Sequence, residues 1–196
     1  MTLIKKYFPQ ISDSQIMKLS TFEKLIREWN KKINLVSRKD VENFQINHVI
    51  HSLSISKLIS FKPKTKILDI GTGGGLPGIP LAIIFPEAEF HLVDRKKKKM
   101  DVLVDIIKKL DLNNVKIEAC DAKDILDKYD FILNRAVSST ENILSICKNK
   151  LSIENFNKIR NGIICLKGGD LKRELINIKD FDIIKLNEIF SEPFFE

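Results

Sequence analysis

The sequence predicts an α/β fold in which helices cover both faces of a mostly parallel sheet. From residue 65 onward, strand-like apolar runs alternate with helix-like amphipathic segments, and a glycine-rich turn follows the first strand. Crossover helices between strands make neighbouring strands parallel and bury both faces of the sheet. With 196 residues, of which 43% are hydrophobic, the chain is long enough for one buried core. We therefore expect a single domain over residues 1–196.

The first 60 residues predict a helical N-terminal arm that packs on this sheet. Ser12 and Gln15 have the spacing of a capping box, which marks the beginning of a helix. The apolar residues that then recur at helical spacing are Ile16, Leu19, Phe22, Leu25, Ile26 and Trp29. Such a stripe is typical of a helix with one buried face. We expect the arm over residues 1–60 and a Rossmann-like core over residues 61–196.

The core region predicts strands and helices in strict alternation up to its last helix. The predicted strands are 65–70, 89–94, 115–120, 129–133 and 162–167. The predicted helices are 79–85, 96–110, 139–150 and 170–178. Residues 181–184 have the composition of a further strand.

The turn after the first predicted strand is the clearest sign of a ligand site. Glycines recur there at spacings that permit positive φ and a close approach of the backbone to a ligand. Residues 73–78 match the G-x-G-x-x-G pattern of dinucleotide sites, with Asp94 about twenty residues beyond. A carboxylate at Asp69 would repel a pyrophosphate, whereas it suits a ligand that carries an ammonium and a sulfonium. The pattern therefore favours S-adenosylmethionine over a nicotinamide dinucleotide.

Acids also follow the next two predicted strands. Asp94 ends strand 89–94, where the ribose diol of a nucleoside needs a two-acceptor partner. Asp121, Ala122 and Lys123 follow strand 115–120, where an acid and the backbone are able to read an adenine edge. Ordinary strand-end acids would fit the same positions. Their place beside a glycine turn favours ligand binding, because open α/β sheets bind ligands at the carboxyl ends of their strands.

The charge balance points to an acidic partner such as nucleic acid. The formal net charge is +7 and the sequence pI is about 9.2, as is common among proteins that contact phosphates. The run Arg95–Lys99 falls at the beginning of a predicted helix, where cations oppose the helix dipole. Phosphate contact and a solvated face both stay open as explanations of this run.

Metal and membrane sites are disfavoured by the sequence. Cys120, Cys147 and Cys165 lack metal-ligand spacing, and no Cys or acidic partner stands at ligand spacing from the histidines. The apolar runs are too short to span a bilayer, and the first residues lack the apolar stretch of a secretory signal. We expect a cytoplasmic monomer that uses neither a metal nor a membrane.

Five motifs occur in a fixed order along almost the whole chain. They are Trp29–Leu35, His48–Leu53, the glycine turn through Leu81, Asn134–Val137 and Leu166–Gly168. Together they resemble the ribosomal small-subunit methyltransferase G family, also called glucose-inhibited division protein B. The resemblance implies a class I, Rossmann-like methyltransferase that uses S-adenosylmethionine. It further implies methyl transfer to N7 of one guanine in the 16S ribosomal RNA of the small subunit.

The resemblance also implies roles for individual residues. Positions that match the cofactor site are Gly71, Gly73, Leu76, Asp94, Ala122, Lys123 and Arg135. Positions that match the RNA side, or contacts that hold the arm, are Asn34, His48, Lys98, Lys99 and Lys167. For His48, a hydrogen-bonded packing role fits equally well.

Two departures from the family pattern stand out. Asn47 and His51 occupy positions where the common family segment has an arginine and an aspartate. The family also commonly continues into a final lysine-containing apolar strand, and this sequence stops about where that strand should start. We therefore expect a core without its terminal strand.

The implied reaction requires no general base, because guanine N7 already carries an exposed lone pair. This suits a sequence without a Ser/His/Asp or Cys/His constellation. The guanine ring becomes positive as the methyl group arrives. We therefore expect Arg135 to orient the donor or to contact O6, and not to lie over N7. Two alternatives stay open: a non-catalytic RNA-binding or ribosome-assembly factor with the same fold, and a nicotinamide-dependent oxidoreductase.

Overall fold

A computed structural model describes residues 3–135 and 139–196, and its centre is a five-stranded parallel sheet. The strands are β1 (Lys66–Ile70), β2 (Glu89–Val93), β3 (Val115–Glu118), β4 (Phe131–Arg135) and β5 (Gly162–Leu166). Their order across the sheet is β3-β2-β1-β4-β5. The predicted α/β class with a parallel sheet is confirmed.

Helices make up the N-terminal arm and the crossovers of the core. The helices of the arm are α1 (Leu3–Tyr7), α2 (Asp13–Asn30), α3 (Arg38–Val41), a π-helix (Gln45–Ile50), α4 (His51–Leu53) and α5 (Ile55–Leu58). The helices of the core are α6 (Gly78–Ile84), α7 (Lys97–Lys109), α8 (Thr140–Cys147) and α9 (Lys172–Leu175). Short 3₁₀ helices are Ala122–Asp124, Leu186–Glu188 and Pro193–Phe195. Among the described residues, no helix is both long and apolar enough to cross a bilayer.

Buried side chains form a hydrophobic core on each face of the sheet. On one face, Ile67 and Phe90 belong to a core that also contains Phe22 of α2 and residues of α6 and α7. On the other face, Leu68 packs in a second core with Ile143 of α8. Successive residues of a strand point to opposite faces, so the neighbours Ile67 and Leu68 pack in different cores. Helices therefore cover both faces, as predicted.

The long helix of the arm, α2, begins as the capping box predicts. The Gln15 amide donates to Ser12 Oγ at 3.3 Å, and the Ser12 amide donates to Gln15 Oε1 at 3.0 Å. The fully buried Phe22 is part of its apolar stripe. At its other end, Trp29 Nε1 donates to Asp105 Oδ2 of α7 at 2.9 Å. Apolar packing and a polar contact thus attach the arm to the core.

The last described residues pack against the arm. The Phe190 and Tyr7 ring centroids lie 4.9 Å apart. The His51 ring lies 5.3 Å from Phe194 and 6.0 Å from Phe195, centroid to centroid. Aromatic contacts at these distances add to the stabilisation from buried area. The carboxyl-terminal turns therefore help to bury the helices of the arm.

Some predicted elements differ from those observed. The strand predicted over 129–133 begins at Phe131, because Tyr129 instead forms a bridge with Leu151. The helix predicted over 170–178 shortens to α9. Beyond β5, the described residues contain no further strand, and Ile183 is 57% exposed. The strand composition of residues 181–184 is not realised, because a strand needs a paired neighbour and none lies beside them among the described residues.

Candidate active site

A cavity of about 620 Å³ opens at the carboxyl ends of the strands. Its volume is in the usual range for small-molecule sites. The strand order places β2 on one side of β1 and β4 on the other, so this is the switch point at which open α/β sheets bind ligands. Two groups of residues line it. The turn half consists of Gly71–Leu76 except Gly75, with Asp94 and Cys120–Lys123. The arm half consists of Ser37, Asp40, His48 and Arg135.

The turn half begins with a backbone conformation that only glycine adopts readily. Gly71, Gly73 and Gly75 have φ values of 67°, 56° and 83°, in the left-handed region that disfavours other residues. The Gly71 and Thr72 amides donate to Val93 O at 2.9 and 3.1 Å. These bonds attach the turn to the end of β2. The backbone of the turn therefore lies directly against the cavity.

Asp69, near the end of β1, stabilises this turn through hydrogen bonds. Its side chain is fully buried, and its Oδ2 accepts from Thr72 Oγ1 at 2.7 Å and from the Gly78 amide at 2.9 Å. Burial raises the pKa of Asp69 to about 6, and these two hydrogen bonds oppose the rise. Asp69 is absent from the described lining of the cavity. Asp69 therefore holds the turn through Oδ2, while its buried Oδ1 has no hydrogen-bond partner among the described residues.

Asp94 follows β2 and faces the cavity. Its Oδ2 accepts from the Gly73 amide at 3.0 Å, and its Oδ1 accepts from the Lys96 amide at 2.8 Å. These two bonds fix the carboxylate between the turn and the beginning of α7. Each carboxylate oxygen accepts more than one hydrogen bond, so Asp94 keeps acceptor capacity for a diol.

The segment after β3 forms the remaining part of the turn half. Asp121 Oδ1 accepts from the Lys123 amide at 3.0 Å and caps the short 3₁₀ helix. This cap turns Ala122 and Lys123 toward the cavity, and Cys120 lines it as well. An apolar methyl group beside backbone amides is suited to the face and edge of an adenine.

The arm half is made of side chains from distant parts of the chain. Arg135, at the end of β4, contacts His48 Nδ1 through Nη2. Arg135 Nη1 and His48 Nε2 are buried and have no hydrogen-bond partner among the described residues. Burial lowers the pKa of Arg135 to about 10, with Asp40 and then Asp69 opposing the change. Arg135 therefore remains a cation at neutral pH.

His48 is a neutral side chain in this arrangement. It is 4% exposed, and burial, followed by the charge of Arg135, lowers its pKa to about 3. A neutral imidazole accepts a proton donor at one nitrogen, which fits the contact between Nδ1 and the Arg135 guanidinium. The ring centroid of Phe44 lies 4.9 Å away. His48 is thus both packed and in contact with the cavity.

The remaining residues matched to the RNA side lie at different places. Lys99 lines the cavity, and its Nζ donates to Leu35 O at 3.4 Å. Asn34 and Lys98 are exposed. Lys167 forms an ion pair of 2.5 Å with Glu174. The structure therefore brings Lys99 to the cavity and leaves Asn34, Lys98 and Lys167 outside its described lining.

Every residue matched to the cofactor site lines the same cavity: Gly71, Gly73, Leu76, Asp94, Ala122, Lys123 and Arg135. Sequence reasoning missed Ser37 and Asp40 of the arm half. They directly follow the matched motif Trp29–Leu35, which was the available signal. Ala136 and Val137 of another matched motif lie outside the described residues. Among the described residues, no cluster of His, Cys, Asp and Glu is able to hold a metal ion.

The sheet order and the glycine turn below this cavity define a class I methyltransferase, which uses S-adenosylmethionine as its methyl donor. Residues 15–188 match the family model described as rRNA small subunit methyltransferase G. The chain therefore belongs to the rRNA small subunit methyltransferase G family. This membership confirms the resemblance and the predicted enzyme class, and it decides against a nicotinamide-dependent oxidoreductase.

Relatives with the same name align along nearly the whole chain. A ribosomal RNA small subunit methyltransferase G of Christiangramia forsetii is 46% identical over 194 residues, which is 99% of this chain and 92% of the relative. The protein of that name from Flavobacterium johnsoniae is 44% identical over 98% of this chain and 92% of its own length. That from Phocaeicola vulgatus is 44% identical over 100% of this chain and 94% of its own length.

Proposed function

We propose that this protein transfers a methyl group to N7 of one guanine in the 16S ribosomal RNA of the small subunit. The observation that carries this proposal is the two-part cavity. Its turn half has the features that a nucleoside methyl donor needs, and its arm half leaves a buried guanidinium nitrogen free for a second ligand. The name shared by the relatives supports ribosomal RNA as that ligand.

The turn half suits the methyl donor for three reasons. Gly71 and Gly73 let the backbone come against the ligand, and Leu76 adds an apolar wall. Asp94, whose carboxylate is fixed by two backbone amides, would accept from the ribose hydroxyls. Ala122 and Lys123 would lie against the adenine, with backbone groups available to its edge. We assign these residues to donor binding.

The proposed reaction needs no general base. When bound, S-adenosylmethionine supplies a methyl group that the N7 lone pair attacks, while the electrons of the carbon–sulfur bond return to sulfur. N7 loses no proton, so no side chain is needed to accept one. His48, with a pKa lowered by burial to about 3, would not hold a proton at neutral pH. Its role would be to orient Arg135.

Arg135 would position the reactants and stay away from N7. The guanine ring gains positive charge during transfer, so a cation over N7 would oppose the product. A guanidinium beside the carboxylate of the donor, or beside guanine O6, avoids that conflict and forms charge-assisted hydrogen bonds. The buried and unpartnered Nη1 supports such a contact. Holding both reactants in line is expected to supply much of the rate enhancement.

Lysines around the cavity would contact the RNA backbone. Lys99 reaches the rim of the cavity, and Lys98 lies exposed on the same helix. Asn34 and Lys167, which match family positions on the RNA side, would add to this contact. Lysine–phosphate contacts add affinity without reading sequence. We further propose that the protein acts as a monomer in the cytoplasm, where ribosomal RNA is its substrate.

The first experiment supplies tritiated S-adenosylmethionine and small subunits that lack the modification. Labelled RNA is then cleaved chemically at N7-methylguanine to locate the methyl group. Label at a single N7-methylguanine is the expected result. Donor binding without incorporation would overturn the proposed reaction and favour a binding-only factor. Loss of donor binding itself would overturn the assignment of the turn half.

The Arg135→Ala variant tests the positioning role in the same assay. We expect turnover to fall by at least about 100-fold, the usual effect of removing a preorganised charged donor. The matched control is Arg160→Ala, because Arg160 is exposed just before β5, at the opposite edge of the sheet. Unchanged turnover and unchanged affinity for S-adenosylhomocysteine in Arg135→Ala would refute the role.

A further inference from the structure

The arm half of the cavity contains a carboxylate that neither donor binding nor methyl transfer explains. Asp40 lines the cavity from α3 of the arm. The other carboxylates in the described lining, Asp94 and Asp121, follow β2 and β3, and each accepts from backbone amides of the turn half. Asp40 instead belongs to the arm, and its charge acts on Arg135 at the end of β4. The inference below rests on the proposed function and names what recognises its target base.

The structure holds the Asp40 side chain in place without enclosing it. Asn47 Nδ2 donates to Asp40 Oδ1 at 3.3 Å, and Asp40 is half-buried. Its charge acts on two neighbours of the cavity: burial is the main cause of the lowered pKa values of Arg135 and His48, and Asp40 opposes both changes. A carboxylate and a guanidinium thus face the same space from two elements.

The donors and acceptors of guanine are arranged to match this pair of charges. Around the ring, the polar groups follow in the order N7, O6, N1–H and the 2-amino group. N7 and O6 are acceptors, so O6 suits Arg135. N1–H and the amino group are adjacent donors, and one carboxylate accepts from both. Adenine also has an N7, but its N1 is an acceptor that a carboxylate would repel.

We propose that Asp40 recognises the target guanine by accepting hydrogen bonds from N1–H and the 2-amino group. With N7 directed to the methyl group and O6 to Arg135, the Watson–Crick edge faces away from the turn half. A base that enters such a pocket is read on this edge when it has left its stack. Asp40 is then the residue that distinguishes guanine from adenine, a choice that the methyl-transfer chemistry itself does not make.

The test compares guanine with inosine, which lacks only the 2-amino group. Small subunits are reconstituted with 16S ribosomal RNA that carries either base at the methylated position, and kcat/KM is measured for each. For the unaltered protein, inosine is expected to lower kcat/KM by roughly 5- to 150-fold, the usual effect of losing a specific base contact. For Asp40→Ala, guanine kcat/KM falls and the inosine penalty shrinks to about twofold or less. Asp40→Asn keeps one acceptor oxygen, so its inosine penalty is expected to lie between those of Asp40→Ala and the unaltered protein.

The ratio between the two substrates keeps the test independent of folding. Both substrates meet the same preparation, so the fraction of folded variant cancels. Glu42→Gln is the matched control, because Glu42 is an exposed acid of the arm two residues away, and its inosine penalty is expected to remain complete. A complete inosine penalty in Asp40→Ala would overturn the proposal and leave Asp40 a positioning residue for Arg135.

Two further outcomes have clear meanings. Equal kcat/KM of the unaltered protein on guanine and inosine would also overturn the proposal, because no contact to the amino group would then exist. Absence of methylation of the guanine-containing subunits would overturn the proposed function first, before any variant is measured. Failure of the recognition proposal is therefore distinguishable from failure of the reaction.

Discussion

The turn half of the cavity is shaped mainly by backbone groups, whereas the arm half is formed by side chains. Gly71 and Gly73 approach the cavity with positive φ, and the Asp94 carboxylate is fixed by two amides. Arg135 and His48, in contrast, meet across 87 residues of chain and leave buried polar atoms without partners among the described residues. Beneath the turn, Asp69 Oδ1 is also buried without a partner among the described residues, but Asp69 is not part of the described cavity lining. Of these buried unpartnered atoms, the ones in the cavity lining belong to Arg135 and His48.

This difference agrees with the ligands proposed for the two halves. A methyl donor has a constant shape, so a rigid backbone cradle suits it. An RNA base must be pulled from its surroundings and selected among four, which requires unpaired donors and acceptors. Unpaired buried groups lower stability, so under the proposed function the arm half would gain recognition at some cost in stability. We therefore expect donor binding by the turn half to be lost when its backbone is altered. RNA recognition by the arm half should be lost when its charges are altered.

The largest effect is expected from Gly75→Ala. A Cβ there would lie 2.5 Å from Ile79 Cδ1, at a φ of +83°. Strain of about 1–2 kcal/mol from the left-handed conformation adds to overpacking of about 1–3 kcal/mol, and the turn should lose donor affinity as well. Urea unfolding and calorimetric titration with S-adenosylhomocysteine measure both losses.

Gly168→Ala is the matched control for that substitution. A Cβ at Gly168 would meet nothing within 4 Å, so its free energy of unfolding should change by less than about 0.5 kcal/mol. Equal stability of the Gly75 and Gly168 variants would show that the backbone of the turn is not the feature on which the turn half depends.

The second expected effect is a loss of stability in mild acid that originates mainly in the buried histidines. Burial lowers the pKa of His48 to about 3 and that of His51 to about 4, and it lowers the pKa of His91 as well. The unfolded chain takes up these protons near pH 6.5 and the folded protein does not. The free energy of unfolding therefore falls as the pH drops from 6.5 toward 4. Asp69 opposes this below pH 6, because burial raises its pKa to about 6.

The variant His51→Gln separates one of these contributions. Each histidine contributes up to about 1.4 kcal/mol per pH unit between its unfolded and folded pKa values. Urea unfolding at pH 6.5, 5.5 and 4.5 should show a shallower fall for His51→Gln than for the unaltered protein, by nearly that amount. Identical slopes would mean that the folded protein takes up a proton at His51 as readily as the unfolded chain does.

A third effect concerns the donor alone. The substitution Asp94→Asn removes the charge and one acceptor from the group assigned to the ribose, and affinity for S-adenosylhomocysteine should fall by roughly 10- to 100-fold. Asp101→Asn is the control, since Asp101 is an exposed residue of α7 that forms an ion pair with Lys97 at 2.8 Å. The same affinity in both variants would remove Asp94 from the donor site.

The smallest expected effect is on RNA affinity, from the exposed lysine Lys98 near the cavity. Lys98→Ala should weaken binding to 16S ribosomal RNA a few-fold and reduce the dependence of the binding constant on salt by about one ion. Lys66→Ala is the control, because Lys66 is exposed at the amino-terminal end of β1, on the opposite edge of the sheet. A salt dependence that changes equally in both variants would indicate non-specific charge and no phosphate contact at Lys98.

The sequence allowed the turn half to be predicted because its determinants are local. Positive φ at Gly71 and Gly73 is required by residues within a few positions, and Asp94 follows its own strand directly. For Asp69, the structure shows a role that the sequence did not predict, which is to hold the turn through Oδ2. The sequence shows that Asp69 lies near the end of a strand. It does not show which groups surround the side chain, because the Gly78 amide that donates to Asp69 is nine residues further along the chain.

The arm half was predictable only in part, because it is assembled by tertiary packing. Arg135 and His48 were reached through the family resemblance, and no spacing rule connects them. Asp40 was missed because α3 is a four-residue helix with no periodic pattern of its own. Residues 181–184 were assigned a strand from composition, which does not reveal whether a neighbouring strand is available.

The strand order also predicts an order in which the site is built during folding. Ile67 of β1 pairs with Phe90 of β2, 23 residues away, and with Phe131 of β4, 64 residues away. Closing the longer loop costs about 1 kcal/mol more in chain entropy, and such non-local pairings form late. In a newly made chain, we therefore expect the turn half of the cavity, at the ends of β1 and β2, to form first. The arm half, with its proposed role in base recognition, would form only when β4 has joined the sheet.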